Sequence, residues 1–398
     1  MDKLAVGMEK NIRRNYVFSF LMNLRLSGGL WMIYMAFKGM SLTQIGLLEG
    51  IFHVTSLAME VPTGSIADLF GRKLSRVLGR CMSLASILIL IASSDFTHFL
   101  FFMVLSALSY NLESGSGEAL VYDSLKYLGK SEEFMRIAGK QEAIFQCSSI
   151  VAFLVGGLLG TLDYHLAFWV SAAIITFTIG YSLLFVEPPI DSDSTGFSPK
   201  RSLKGFARQI ADSFGVIAKT RKVAFLILFT QTMLAFCTCI FFYMQNFWKG
   251  EGMSEFQIGV LLAIGSLAAG VTASKVHKLQ TLLREKRMLI VLPLAAVISI
   301  WALALSPFKA PFFILISMFE AMLFVTSSDY INRLIPSQYR ATIISFSSMV
   351  FSVVMIVIFP SFGKMADTFS FGIAFISLAA VGSFLYGLNM RVLAKLEM

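Results

Sequence analysis

The run FLMNLRLSGGLWMIYMAF, Phe20 to Phe37, is apolar enough for lipid except at Arg25. Read as one helix, it places Arg25 roughly 14 Å from Tyr16 and 18 Å from Phe37, so the guanidinium reaches neither lipid interface easily. An ionised Arg at the centre of hydrocarbon costs about 3 kcal/mol on insertion scales, and more without a partner. It is therefore expected to face a carboxylate, neighbouring helices or a wet cavity. Two further patterns carry titratable groups at helical spacing. Glu49, His53, Ser56 and Glu60 follow i, i+4, i+7, i+11, as do Asn111, Gly115, Glu118 and Tyr122, with Glu113 well off that second face. Desolvation raises a carboxylate's proton affinity and a nearby cation lowers it, while an imidazole titrates near neutrality. The chemistry of such groups is proton loading and release, with Glu118 the first expected partner of Arg25 and Glu49/His53 a second site. The competing reading is a static interhelical tie.

These residues need apolar helices to hold them. The chain has 398 residues, 56% hydrophobic and 14% charged, which lies outside the composition of water-soluble domains. Apolar runs long enough to cross a bilayer recur with charged punctuation, at 16–37, 44–67, 75–94, 98–122, 137–160, 165–186, 222–248, 255–274, 288–306, 311–331, 342–360 and 371–390. The expected fold is an all-α integral membrane protein with twelve transmembrane helices, because helices satisfy the backbone in lipid and the runs are too long for barrel strands. Cys81, Cys147, Cys237 and Cys239 all fall in these runs, and no Cys/His cluster has zinc spacing. There is no GxxxxGK[ST] loop and no nucleophile/base constellation. No metal, cofactor or enzymatic activity is indicated.

The net charge of +9 is explained by orientation. With the N-terminus cytoplasmic, most Lys and Arg fall in cytoplasmic segments. Lys38, Lys249, Lys309 and Lys364 fall outside, and Arg25 lies within a span. This asymmetry needs no nucleic acid. The basic Lys3, Lys10, Arg13 and Arg14 precede a first span that is too long for a signal peptide and lacks a small-residue cleavage site, so it is read as a retained helix.

The polar interval 187–221 opens with EPPIDSDSTGFSPK and divides the spans six and six. Within it Leu203, Phe206, Ile210, Phe214 and Ile217 recur at helical spacing, with Lys204, Arg208 and Lys219 on other faces, so 201–219 is expected to be an amphipathic surface helix. GMSLTQIGLL (39–48) and GMSEFQIGVL (252–261) share Gly, Met, Ser, Gln, Ile and Gly at one offset, each entering the second span of its half. This duplication implies two parallel six-helix bundles, 1–186 and 222–398, related by a pseudo-twofold axis along the membrane normal, with a substrate site between them. The second half contributes Gln231, Thr238 and Gln245 at i, i+7, i+14, together with Glu320, Asp329 and Ser345, Ser348 and Ser352. With Asn23 and Tyr122 from the first half, these are candidate cavity residues. Some of the 38 Phe would suit an amphipathic substrate.

GSIADLFGRK, Gly64 to Lys73, resembles the Gly-x-x-x-Asp-x-x-Gly-Arg-Lys loop between spans 2 and 3 of the major facilitator superfamily, and the span count, central loop and half repeat extend the resemblance over the chain. The resemblance implies a gating loop of Gly64, Asp68, Gly71, Arg72 and Lys73, with Glu60 at the same end and Asp123 as the acid that pairs with Arg72. In this reading Gly64 permits close helix approach and Asp68 sits at a neighbouring helix N-terminus. NRLIPSQYRAT (332–342), with Arg340, looks like the equivalent loop of the second half. EVPTGSIAD and LESGSGEALVYDSL further resemble bacterial drug and metabolite efflux members. In antiporter-type relatives an Arg stands where this chain has Asn111, and VGGLLG (155–160) lacks their span 5 proline. Since span 1 lines the central cavity in the family, Arg25 is read as supplying the missing positive charge.

The expected function is proton-coupled export of small amphipathic organic compounds by alternating access, by a monomer in the cell (inner) membrane with both termini cytoplasmic. Its partners are the small-molecule substrate, protons and the lipid bilayer. The alternative is uptake of a small organic anion with Arg25 as anchor. A non-transporting sensor or scaffold is disfavoured, because a scaffold has no need of midplane charges.

Overall fold

A computed structural model of the chain describes residues 3–189, 221–283, 285–334 and 340–395. The described residues are almost entirely helical and contain no strand. The helices are α1 (Lys3–Asn23), α2 (Trp31–Phe37), α3 (Leu42–Phe70), α4 (Arg72–Ala92), α5 (Phe96–Glu113), α6 (Ser116–Tyr127), α7 (Phe134–Leu162) and α8 (Tyr164–Ser182), followed by α9 (Arg221–Gly250), α10 (Glu255–Leu283), α11 (Glu285–Leu305), α12 (Lys309–Leu334), α13 (Arg340–Thr368) and α14 (Phe371–Lys395). Among the described residues, ten helices are long and apolar enough to cross a membrane. The two remaining runs, 16–37 and 98–122, are each broken into two shorter helices, which is consistent with twelve runs. The amphipathic segment 201–219 and residues 335–339 of the 332–342 stretch lie outside the described residues.

Both breaks correct the sequence expectation of continuous spans. Between α1 and α2 the chain turns through residues 24–30, with Gly28 N–H donating to Arg25 O at 2.9 Å and Leu30 N–H to Ser27 O at 3.0 Å. Ser27, Gly28 and Gly29 are weak helix formers, so little is lost by leaving the helix there. Facing the break, α7 presents glycines. A Cβ at Gly156 would lie 2.3 Å from Leu26 O, and one at Gly160 would lie 2.7 Å from a Leu30 methyl carbon. The second break, Ser114–Gly115, turns on Gly115 at φ 75°, a left-handed conformation that glycine adopts without strain.

The chain divides into two compact units, with Met35–Gly50 falling in the unit that holds most of the second half and Ser254–Gly259 in the unit that holds most of the first. In the first unit α4 packs on α5, α6 and α8, and α1 on α6, α7 and α8. In the second, α11 packs on α12 and α14, and α9 on α12, α13 and α14. A cluster of Phe229, Met233, Leu292 and Leu323 forms part of the second unit's core.

The repeated GMSxxQIG segments have the same local geometry in both copies. Gly39 and Gly252 end the preceding helices at φ 85° and 86°. Met40 N–H donates to Met35 O at 3.0 Å and Met253 N–H to Trp248 O at 3.1 Å, closing a Schellman motif each time. Ser41 and Gln44, like Ser254 and Gln257, exchange backbone and side-chain bonds at 2.9 and 3.2 Å as a capping box. The second glycine of each copy permits a close crossing: a Cβ at Gly46 would lie 2.7 Å from Pro360 Cα, and one at Gly259 would lie 2.3 Å from Phe153 O. The shared residues are thus a stop, a start and a contact.

Gly156→Val should lower the thermal unfolding midpoint in detergent by several degrees, because the Leu26 carbonyl cannot move aside cheaply. Gly180→Ala, where nothing lies within 4 Å, should hold or raise it. Parallel thermal melts of the two variants check the contrast.

Candidate functional site

The first unit is organised around buried charge on α4. Ser75, Arg76, Gly79 and Arg80 lie on the buried face of this helix. Gly79 lets α5 approach, since a Cβ there would lie 3.3 Å from Ser109 O, and Ser75 Oγ donates to Leu112 O at 2.6 Å. Arg76 is 2% exposed. Its Nε donates to Glu113 Oε1 at 2.9 Å and its Nη1 to Asn15 Oδ1 at 2.8 Å, while its guanidinium carbon lies 4.0 Å from the Phe18 ring centre and 4.8 Å from that of Phe185. Gly117 makes room for the Glu113 carboxylate, with a Cβ there only 3.2 Å from Oε1. A charge in hydrocarbon persists only with such company.

Arg80, one turn further along α4, is also 2% exposed, yet its Nε and Nη2 have no hydrogen-bond partner among the described residues, and neither does Glu113 Oε2. Arg25, an exposed residue, sits in the break after α1. Glu113 acts electrostatically on Arg25, Arg76 and Arg80, and Tyr110 acts on Arg25. The cluster therefore sets three guanidiniums against one carboxylate.

This geometry changes the expected pairing. Glu118 is exposed and makes no ion pair among the described residues, so it is not the partner of Arg25. The left-handed turn at Gly115 ends the face that Asn111, Gly115, Glu118 and Tyr122 would have shared, and Glu118 instead stands in the first turn of α6, where a helix dipole favours an acid. Asn111 is buried and exchanges two bonds with Ser56: Ser56 Oγ donates to Asn111 Oδ1, and Asn111 Nδ2 donates to Ser56 O, both at 2.7 Å. Tyr122 is 44% exposed and stacks edge-on to Phe134. Asn23 donates to Ser19 O at 2.8 Å. Glu49 and His53 are both buried on α3, and Glu60 is half-buried.

The loop 64–73 is built differently from expectation in two respects. Among the described residues nothing lies near the Cβ position of Gly64, so no close helix approach among them depends on it. Asp68 pairs with Arg72 within its own segment, and the N-terminus of α4 is instead capped by Glu187, which accepts from Arg72 N–H at 2.6 Å and Lys73 N–H at 2.8 Å. Gly71 fits this cap for two reasons. Its φ is 102°, and a Cβ would lie 2.6 Å from the Glu187 carboxylate carbon. Arg72 Nε lies 3.6 Å from Asp123 Oδ2. Asn11 holds the chain before Glu187, donating to Val186 O at 2.7 Å and accepting from Val186 N–H at 2.9 Å. Glu187, expected to open the linker, therefore belongs to the folded unit. The side chain of Arg340 lies outside the described ones.

In the second unit Thr238 Oγ1 on α9 donates to Glu320 Oε1 on α12 at 2.9 Å. No cation pairs with Glu320 among the described residues. Two turns along α9, Gln245 is fully buried with neither amide atom bonded among the described residues, whereas Gln231 is half-buried and Ser348 exposed. The structure thus brings Thr238 and Glu320 together.

The sequence model of the Major Facilitator Superfamily matches residues 16–360. The chain belongs to this family. Among relatives, it is 23% identical to an uncharacterized MFS-type transporter, YxaM, of Bacillus subtilis (strain 168) over 92% of this chain and 91% of that one. It is 21% identical to the quinolone resistance protein NorA of Staphylococcus aureus (strain Mu50 / ATCC 700699) over 42% of each chain. The fold is that of solved major facilitator structures. The nucleoside transporter NupG superposes with a TM-score of 0.76 at 14% identity over 98% of both chains. A bacterial homolog of the human lysosomal transporter Spinster gives 0.74 at 14% identity over 99% of this chain and 98% of that one.

Arg76 and Arg80 were hidden from the sequence reading by the family's own pattern. They follow the basic loop closely and look like positive-inside anchors, although the apolar run already contains them. The available signal was their i, i+4 spacing inside that run.

Glu113→Gln should destabilise the protein by roughly 3–5 kcal/mol, because Arg76 stays buried without its carboxylate. Glu118→Gln should leave stability within about 0.5 kcal/mol. Denaturant or thermal unfolding of the two purified variants distinguishes the two acids.

Proposed function

We propose that this major facilitator is a proton-coupled exporter of small amphipathic organic compounds, working by alternating access as a monomer in the cell (inner) membrane with both termini cytoplasmic. The observation that carries the proton coupling is Glu320. It stands on an apolar helix with one hydroxyl donor, Thr238, and no paired cation among the described residues. A carboxylate beside a hydroxyl is a group that can carry a proton between two facing states. Thr238 serves both forms, donating to the carboxylate or accepting from the acid. Glu49 and His53, buried on α3, are proposed as a second titratable pair. Protonation then favours one facing state, and substrate the other. Export is supported by the partial similarity to the quinolone resistance protein NorA.

A second reading, uptake of a small organic anion, is favoured by one observation, the exposed residue Arg25 in the unwound turn of the first unit.

Proteoliposomes with a pH dye inside test the proposal. Lipophilic cations should drive proton movement, and Glu320→Gln should reduce it by about tenfold or more. Unchanged flux in Glu320→Gln contradicts the assignment of the proton, and a response to organic anions alone favours uptake.

A further inference from the structure

We infer that Arg80 and Arg25 form a binding site in the first unit for the oxyanion head, a carboxylate or phosphate, of a small organic ligand. The inference rests on the transport reading only in taking the ligand to be small and organic; neither direction nor proton coupling enters it.

Four observations converge. First, Arg80 is 2% exposed, and the two donors it leaves without partners, Nε and Nη2, lie on one edge of the guanidinium. That edge presents two parallel N–H groups, the geometry that takes two oxygens of one carboxylate or phosphate. Second, the neighbouring groups do not fill this edge. Arg76 holds Glu113 Oε1 at 2.9 Å and Asn15 at 2.8 Å and stacks on two rings, so the carboxylate of the cluster is committed elsewhere. Third, Arg25 and Arg76 both add like charge to the surroundings of Arg80, against Glu113 alone. Three cations and one anion leave a deficit of two negative charges, which a monoanionic or dianionic head would reduce. Fourth, Arg25 combines exposure with a position in the unwound turn at 24–30. As an exposed residue at this turn, it is suited to meet an incoming anion that Arg80 then holds. A purely structural Arg80 would be expected to close on the free Oε2 of Glu113, and both atoms stand without a partner.

The full-length protein in nanodiscs of zwitterionic lipid provides the test. Benzoate, phenyl phosphate and inorganic phosphate are titrated at constant ionic strength against chloride and neutral benzamide, with the thermal midpoint and direct calorimetry as readouts. Saturable stabilisation by at least one oxyanion is expected, with none from chloride or benzamide. Arg80→Lys keeps the charge but loses the two-donor edge, and should weaken oxyanion binding about tenfold or more. Arg25→Gln, at an exposed residue, should also weaken it and keeps the test valid if Arg80→Lys fails to fold. Wild-type protein that responds to oxyanions no more than to chloride overturns the inference, as do variants that bind like wild type. If nanodiscs containing phosphatidylglycerol give the same Arg80-dependent stabilisation with no added ligand and block benzoate, the site belongs to a lipid headgroup and the small-ligand assignment falls. Because binding is read without a proton gradient, loss of proton flux with binding intact counts against export alone, and loss of binding with flux intact counts against this site alone.

Discussion

The first unit depends on one carboxylate set among three arginines inside the membrane. Without Glu113, Arg76 would be a buried cation facing only an amide oxygen and two aromatic rings. Around this pair the unit is shaped for close approach. Gly79 admits α5, Gly117 clears the carboxylate, Asn15 of α1 takes the second guanidinium nitrogen, and Phe18 and Phe185 cover its faces. Phe18 and Phe185 belong in turn to the hydrophobic cluster with Leu120. Charge and apolar packing in this unit are one construction.

The helix breaks follow from the same constraint. Arg25 sits in the turn after α1, and Glu113 is the last residue of α5. An acid at a helix C-terminus is disfavoured by the dipole, so Glu113 needs the α4 arginines as much as they need it. Broken backbone at membrane depth is tolerated only where protein or a wet cavity receives its free polar groups. The glycine face of α7 receives the first break, with Gly156 directly against Leu26. Among the described residues the second unit holds no comparable cluster of ion-paired arginine. Glu320 has a hydroxyl for company, and Gln245 has two buried amide atoms without partners among the described residues. A fixed cationic cluster and a lone protonatable acid are different chemical tools, which is why anion binding and proton coupling are assigned to separate units.

The parts of the fold that sequence made legible are those governed by local rules. Apolar length gave the spans, and GMSxxQIG was recognisable as a repeat because stop, capping box and helix contact each require particular residues at fixed spacing. Arg72 and Asp123 were nameable from the signature segment. What escaped depends on long-range geometry or on interrupted periodicity. The Asn111 to Tyr122 face assumed an unbroken helix, and a single left-handed glycine cancels that phase. Glu187 reads as the start of a linker, and only the folded chain carries it back to cap α4. Arg76 and Arg80 look like loop charges until α5 and α8 are seen packed over them.

The measurement that tests this account most directly is a double-mutant cycle on the central pair, with Arg76→Met, Glu113→Leu and the two combined, read by reversible unfolding of the purified protein. The account predicts that each single variant is strongly destabilised and that the combined variant recovers much of the loss, giving a coupling on the order of 2 kcal/mol or more. Effects that simply add, within about 0.5 kcal/mol, would contradict the claim that this ion pair organises the first unit.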